Sequence, residues 1–184
     1  TGMAALAFLY CQIKIYLLPT QPSWNSIATP ASFVATALRL GILGVAALLV
    51  TEGLEPLRSS EAKSGQGPGV SCVILRGLVL AGLLVLGTEL VILPVQISSL
   101  ISADSSAAAA SHHRLTVDYG FVLIVRLVLL CIASATLGWL LTTFRRIRSD
   151  RLLHTLAYVS FSLVFLSELC GRFLFYAIRV RVGI

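Results

Sequence analysis

Arg39, Glu89, Arg126 and Glu168 each stand inside a different long apolar stretch of this chain. A charged side chain in hydrocarbon costs at least ~2.5 kcal/mol, so such residues turn to a bundle interior. There they neutralise one another or line a path for protons, ions or a polar substrate. Their spacing makes them a set: Arg39 lies seven residues after Ser32, Glu89 eight before Ile97, Arg126 eight after Asp118 and Glu168 eight before Tyr176. If successive stretches cross a bilayer in alternating directions, all four lie about 12 Å below one membrane face at ~1.5 Å of rise per residue. Arg172 follows Glu168 by four residues, on the same helix face and in the favourable acid-first order. Either the two neutralise each other, or Arg172 snorkels to the interface and leaves Glu168 to Arg126 or Arg39. We expect Glu168 and Arg126 to face one another, or a common polar cavity, across the last two spans.

Helices must hold this layer. The chain is 57% hydrophobic and 12% charged, against roughly 25% charged for an average soluble domain. Five stretches, 2–18, 32–50, 73–97, 118–144 and 153–176, are long enough or nearly so to cross ~30 Å of hydrocarbon as helices. None shows the period-two alternation of ~10-residue barrel strands. The expected fold is therefore an all-α integral membrane protein, a five-span helix bundle forming a single transmembrane domain over residues 1–184. Small residues four apart, Ala37/Gly41, Gly77/Ala81 and Ser134/Gly138, predict close approach of helix backbones. The chain opens on Thr1, with no basic n-region or cleavage site. That speaks against a signal peptide; we expect that upstream sequence has been lost or was never made, or that Met3 after Thr-Gly is a start.

The loop 144–152 carries Arg145, Arg146, Arg148 and Arg151 against Asp150, which places it in the cytoplasm by the positive-inside rule. By alternation the 52–72 loop, with Arg58 and Lys63, is cytoplasmic too, and its Ser64-Gly-Gln-Gly-Pro-Gly69 stretch is flexible by composition. The uncharged 18–31 connection and the 98–117 connection fall outside. Arg179 and Arg181 oppose this orientation, but three loops outweigh one tail. The C-terminus is then outside, and the charged layer lies in the outer half of the bilayer. Orientation alone accounts for the basic loop, without a nucleic-acid or anionic-lipid partner.

Cys11, Cys72, Cys131 and Cys170 are scattered one per span or span edge without a C-x-x-C, a spacing unsuited to an iron–sulfur cluster. They read as small packing residues. His112, His113 and His154 lie in or beside connections, whereas a haem held between spans needs imidazoles facing the bundle interior. No metal site and no haem are expected.

Glu168-Leu-x-Gly171-Arg172-x-x-Phe175-Tyr176, preceded by Asp118-Tyr119-Gly120 with Arg126 two helical turns on, resembles the C-terminal part of the DMSO reductase membrane anchor subunit, the DmsC family. Pro22-Ser23-Trp24-x-Ser26-Ile27-x-Thr29-Pro30 is similar to the connection ahead of that family's fifth span. Lys14 stands where the resemblance leads us to expect an arginine, a change that keeps the charge. The likeness covers essentially the whole chain but only the fourth to eighth spans of an eight-span family. The histidine and glutamate most often linked to quinol binding there belong to the part without a counterpart here.

The resemblance implies a bacterial inner-membrane subunit that oxidises menaquinol. Its electrons would pass to an iron–sulfur subunit, which feeds a molybdopterin catalytic subunit. Such a pocket needs apolar walls for the ring and tail, with ionisable groups to bind the ring oxygens and carry protons away. Glu168 or Glu89 would accept protons, and Arg126 would hold a carboxylate or a quinol oxygen. The rival is a small transporter or channel whose charged layer lines a substrate path. Transporters favour internal repeats and broken helices, and the chain has no repeat and one proline inside a span, Pro94. A purely structural scaffold is the third reading.

Overall fold

The computed structural model describes residues 2–17, 24–53, 70–102, 106–143 and 150–180. The 64–69 loop, Pro22, Ser23, Arg145, Arg146, Arg148 and Arg181 lie outside the described residues. Hydrocarbon offers backbone groups no water, so apolar runs of this length satisfy themselves as helices. Among the described residues there are six α-helices: α1 (Gly2–Tyr16), α2 (Ala28–Leu48), α3 (Val70–Ile101), α4 (Ser106–His113), α5 (Gly120–Thr143) and α6 (Asp150–Ala177). Among the described residues there is no strand.

Among the described residues four stretches are long and apolar enough to cross a membrane: Ala28–Thr51, Val73–Ile101, Gly120–Thr142 and Arg151–Ala177. The protein is a multi-pass membrane protein. The stretch expected as a further span is a shorter apolar helix, α1, with 15 residues and about 22 Å of rise.

Local chemistry sets the helix ends. Pro30 sits in the first turn of α2, where its missing N–H leaves no intrahelical bond unmade. Just before it the backbone closes a turn from Thr29 N–H to the Ser26 carbonyl at 3.1 Å. A π-helical turn, Arg114–Asp118, joins α4 to α5, and Tyr119 N–H closes its wide ring on the Arg114 carbonyl at 2.9 Å.

The long helices each bury one narrow stripe. In α3 Leu75, Val79, Gly82, Leu86, Glu89, Leu93 and Leu100 are buried, and Gln96, in phase with them, is half-buried. The alternating steps of three and four are those of a packed helix seam. Arg126 continues the stripe of Leu130, Ala133, Leu137 and Leu140 in α5. In α6 Glu168 lies with Ser160, Val164, Ser167 and Leu174, and in α2 Arg39 lies with Ala35, Leu43 and Ala46. Each charge thus occupies a position where the pattern calls for a hydrophobic residue.

The chain divides into two compact units, and the long helices contribute segments to both. One comprises Leu38–Leu86 and Leu129–Leu166. Its core is aliphatic, with Leu43, Val50, Leu86, Leu137, Leu140 and Val164 among the buried residues. The other comprises Thr1–Ala37, Gly87–Val128 and Ser167–Ile184. It holds an aromatic cluster about Trp24, Phe33 and Phe175 and a smaller aliphatic one about Leu100, Leu115, Leu174 and Ile178.

The small-residue pairs do not mark close helix contacts. A methyl group added at Gly41, Gly77 or Gly138 would meet nothing within 4 Å. Spacing four apart defines a face, but these faces do not meet a neighbouring backbone. The tight glycines are Gly82, where an added Cβ would come 2.8 Å from Leu43, and Gly171.

Candidate functional site

The polar residues of the second unit converge from four helices. Arg126 on α5 donates through Nη2 to Oε1 of Glu89 on α3, forming an ion pair with side chains 12% and 3% exposed. The Arg126 guanidinium is thus in contact with the Glu89 carboxylate. Gly171 on α6 makes room for that guanidinium. A Cβ built there would stand 2.8 Å from Cζ and 2.9 Å from Nη2 of Arg126, closer than such atoms pack. The Ser167 hydroxyl, one turn earlier, donates to the Arg126 carbonyl at 3.3 Å. Arg126 is therefore held by the acid on α3 and by the bare backbone of α6.

Glu168 is held differently. Its Oε2 accepts a hydrogen bond from the Thr36 hydroxyl of α2 at 2.8 Å, and the same hydroxyl lies 2.8 Å from the Ser32 carbonyl. One proton can serve only one of these acceptors at a time, so the hydroxyl can turn between Glu168 and its own helix. Arg39, completely buried, belongs to the aliphatic unit's segments.

Arg126 and Glu168 both line a half-open cavity. Ser32, Thr36, Gln96 and Arg172 complete its polar lining, and Leu93, Leu123 and Phe175 are among its apolar walls. Helix spacing explains the convergence. Ser32 and Thr36 are four apart on α2, Gln96 lies three after Leu93 on α3, and Glu168, Arg172 and Phe175 follow one face of α6. The Arg172 guanidinium lies 3.9 Å from the centre of the Phe33 ring, a cation–π contact worth up to ~2 kcal/mol when desolvated.

Next to this cavity wall lies the aromatic cluster. Trp24 stacks on Phe175 with ring centres 5.2 Å apart, and its indole N–H donates to the Phe175 carbonyl at 2.9 Å. Tyr16 meets Trp24 and Phe175 edge-on, and its hydroxyl is 2.7 Å from that of Tyr176. Arg179 lies over the Trp24 ring at 5.3 Å. Tyr119 packs edge-on against Phe173, Gly120 opens α5, and Asp118 is exposed. Among the described residues no cluster of histidine, cysteine and carboxylate groups could hold a metal ion.

The model of the DMSO reductase anchor subunit (DmsC) family matches residues 1–178 of the chain. The chain belongs to this family. Among DmsC relatives, it is 27% identical over 184 residues to the C subunit of the anaerobic dimethyl sulfoxide reductase of Escherichia coli (strain K12), covering 100% of itself and 56% of that protein. It is 30% identical over 178 residues to the anaerobic dimethyl sulfoxide reductase subunit YnfH of the same organism, covering 96% of itself and 54% of that protein. The chain thus spans about half the length of the curated relatives it matches. No solved structure matches it. DmsC membership sets the anchor reading above the transporter reading.

Three polar cavity residues escaped the sequence reading: Gln96, Thr36 and Ser32. The signal for Gln96 was present. It continues the three-and-four stripe of α3 through Leu86, Glu89 and Leu93, a polar residue in the packed phase.

Proposed function

We propose that the chain is part of the membrane anchor of a DMSO-reductase-type complex, and that its polar cavity binds and oxidises menaquinol. One observation carries the reading. In a family of reductase anchors, this chain gathers a carboxylate, two guanidinium groups, a carboxamide and two hydroxyls into one cavity with leucine and phenylalanine walls. Apolar walls suit the ring, and convergent polar groups suit its two oxygens.

Oxidation of the quinol to the quinone breaks two O–H bonds and releases two protons and two electrons. In this reading Glu168 takes a proton from a ring hydroxyl as general base. Thr36 donates to the carboxylate and can turn to the Ser32 carbonyl when the carboxyl becomes protonated. The electrons reduce an iron–sulfur subunit, which passes them to a molybdopterin subunit. The arginine-rich 145–151 loop supports an orientation with the C-terminus outside, which puts the cavity toward the outer face.

Copurification tests the partnership. Purified gently from its native membrane, the chain should bring down polypeptides carrying iron, acid-labile sulfide and molybdenum, and the assembly should oxidise menadiol. A chain isolated without these metals would refute the anchor reading. Cysteine labelling in intact cells should reach a probe at Ser105 and miss one at Ser149. The reverse pattern would overturn the orientation.

A further inference from the structure

We infer that Arg172, assisted by Gln96, is the group that grips a ring oxygen of the quinol, and that Arg126 is not. The inference rests on the menaquinol reading above and divides labour among its residues. Both arginines line the cavity, but they are committed differently. Arg126 is ion-paired with Glu89 and lies against the α6 backbone at Gly171. A guanidinium anchored in this way cannot follow a ligand without breaking a buried pair.

Arg172 has no hydrogen bond or ion pair among the described residues, and its close contact is the Phe33 ring under its face. A guanidinium stacked on a ring still presents donors around its edge. That edge borders the cavity. The stack fixes the plane of the group, so little freedom is lost when it meets an oxygen acceptor. Glu168, one turn back on the same face, balances the charge.

Gln96 supplies the complement. Its side-chain amide also makes no hydrogen bond among the described residues and borders the same cavity from α3. A carboxamide both donates and accepts, so it can bond a ring oxygen as hydroxyl or as carbonyl. Arg172 only donates, which suits a ring oxygen that accepts equally well as hydroxyl or as carbonyl. Phe175, on the cavity wall, gives the ring an apolar surface. Each component has chemistry that suits a two-oxygen aromatic ring.

The test uses the assembly in native membranes with menadiol as donor. In Arg172→Gln the KM for menadiol should rise roughly 10- to 100-fold, the loss expected for one charge-assisted hydrogen bond. Assembly should be unchanged and kcat largely kept. Arg172→Lys should recover part of the loss. Gln96→Leu should raise KM several-fold. A wild-type KM in Arg172→Gln would overturn the inference while leaving the menaquinol reading intact. Wild-type assembly that oxidises no menadiol would instead sink the reading and the inference with it. Should Arg172→Gln fail to assemble, Gln96→Leu decides, because it removes no charge: an unchanged KM there overturns the inference.

Discussion

The aliphatic unit, Leu38–Leu86 with Leu129–Leu166, and the polar unit, Thr1–Ala37 with Gly87–Val128 and Ser167–Ile184, share the long helices but use their inward positions differently. The first fills its stripes with leucine, valine and alanine. Its buried polar residues among those described are Arg39 and Ser160, and the Ser160 hydroxyl is 3.0 Å from that of Thr136. The second places Glu89, Arg126 and Glu168 at such inward positions, with a cavity bordered by Arg126 and Glu168 and an aromatic cluster at Phe175. Packing alone favours the first pattern, because a buried ion pair offsets its desolvation poorly compared with well-packed hydrophobic residues. The second pattern is the one that the proposed quinol site would require.

The largest effect should come from splitting the Glu89–Arg126 pair. Glu89→Gln or Arg126→Gln leaves one buried charge uncompensated, at a cost of about 3–5 kcal/mol. Either should sharply lower the amount of assembled protein, read as chain retained in purified membranes. Removing both charges should restore much of it, a non-additive result. Equal and additive losses would show that the pair is not a unit.

Next comes the aliphatic core. Leu137→Ala should destabilise by about 2–5 kcal/mol, the range for a core leucine cut to alanine, as followed by denaturant titration in detergent. The KM for menadiol should stay at the wild-type value. A large KM change would break the contrast between the two units.

Gly171→Ala tests the seat of Arg126. The added methyl group has to push the guanidinium aside, and overpacking of this kind costs about 1–3 kcal/mol. Combining Gly171→Ala with Arg126→Gln should remove most of that penalty, and a penalty that persists in the combination would contradict the account. The smallest effect is expected at Trp24. Trp24→Phe keeps the stack on Phe175 but deletes the N–H that bonds its carbonyl, a loss of about 1 kcal/mol that a thermal melt should register as a modest shift.

The charged residues were legible in the sequence because each interrupts an apolar run, and counting from the run ends gave them a common depth. Depth is not direction, however. Residue counts could not decide which acid meets Arg126, since that depends on how each helix is rotated about its axis, and Glu89 makes the contact. Rotation was partly readable: the phase of Leu75, Val79, Leu86 and Leu93 carries through Glu89 to Gln96. Gly171 was visible as part of a motif, but its task emerges only once the Arg126 guanidinium lies on it. Gly41, Gly77 and Gly138 teach the converse. Small residues four apart permit close helix approach, but whether a helix comes there is decided by the larger side chains that set the packed faces.

Photolabelling tests the division between the units most directly. A naphthoquinone bearing a photoreactive group would be bound to the assembly in native membranes, irradiated and mapped by peptide sequencing. The account places the label on peptides from 87–102 and 167–178, competed away by menadiol and reduced in Arg172→Gln. Competable labelling confined to 38–86 and 129–166 would contradict it.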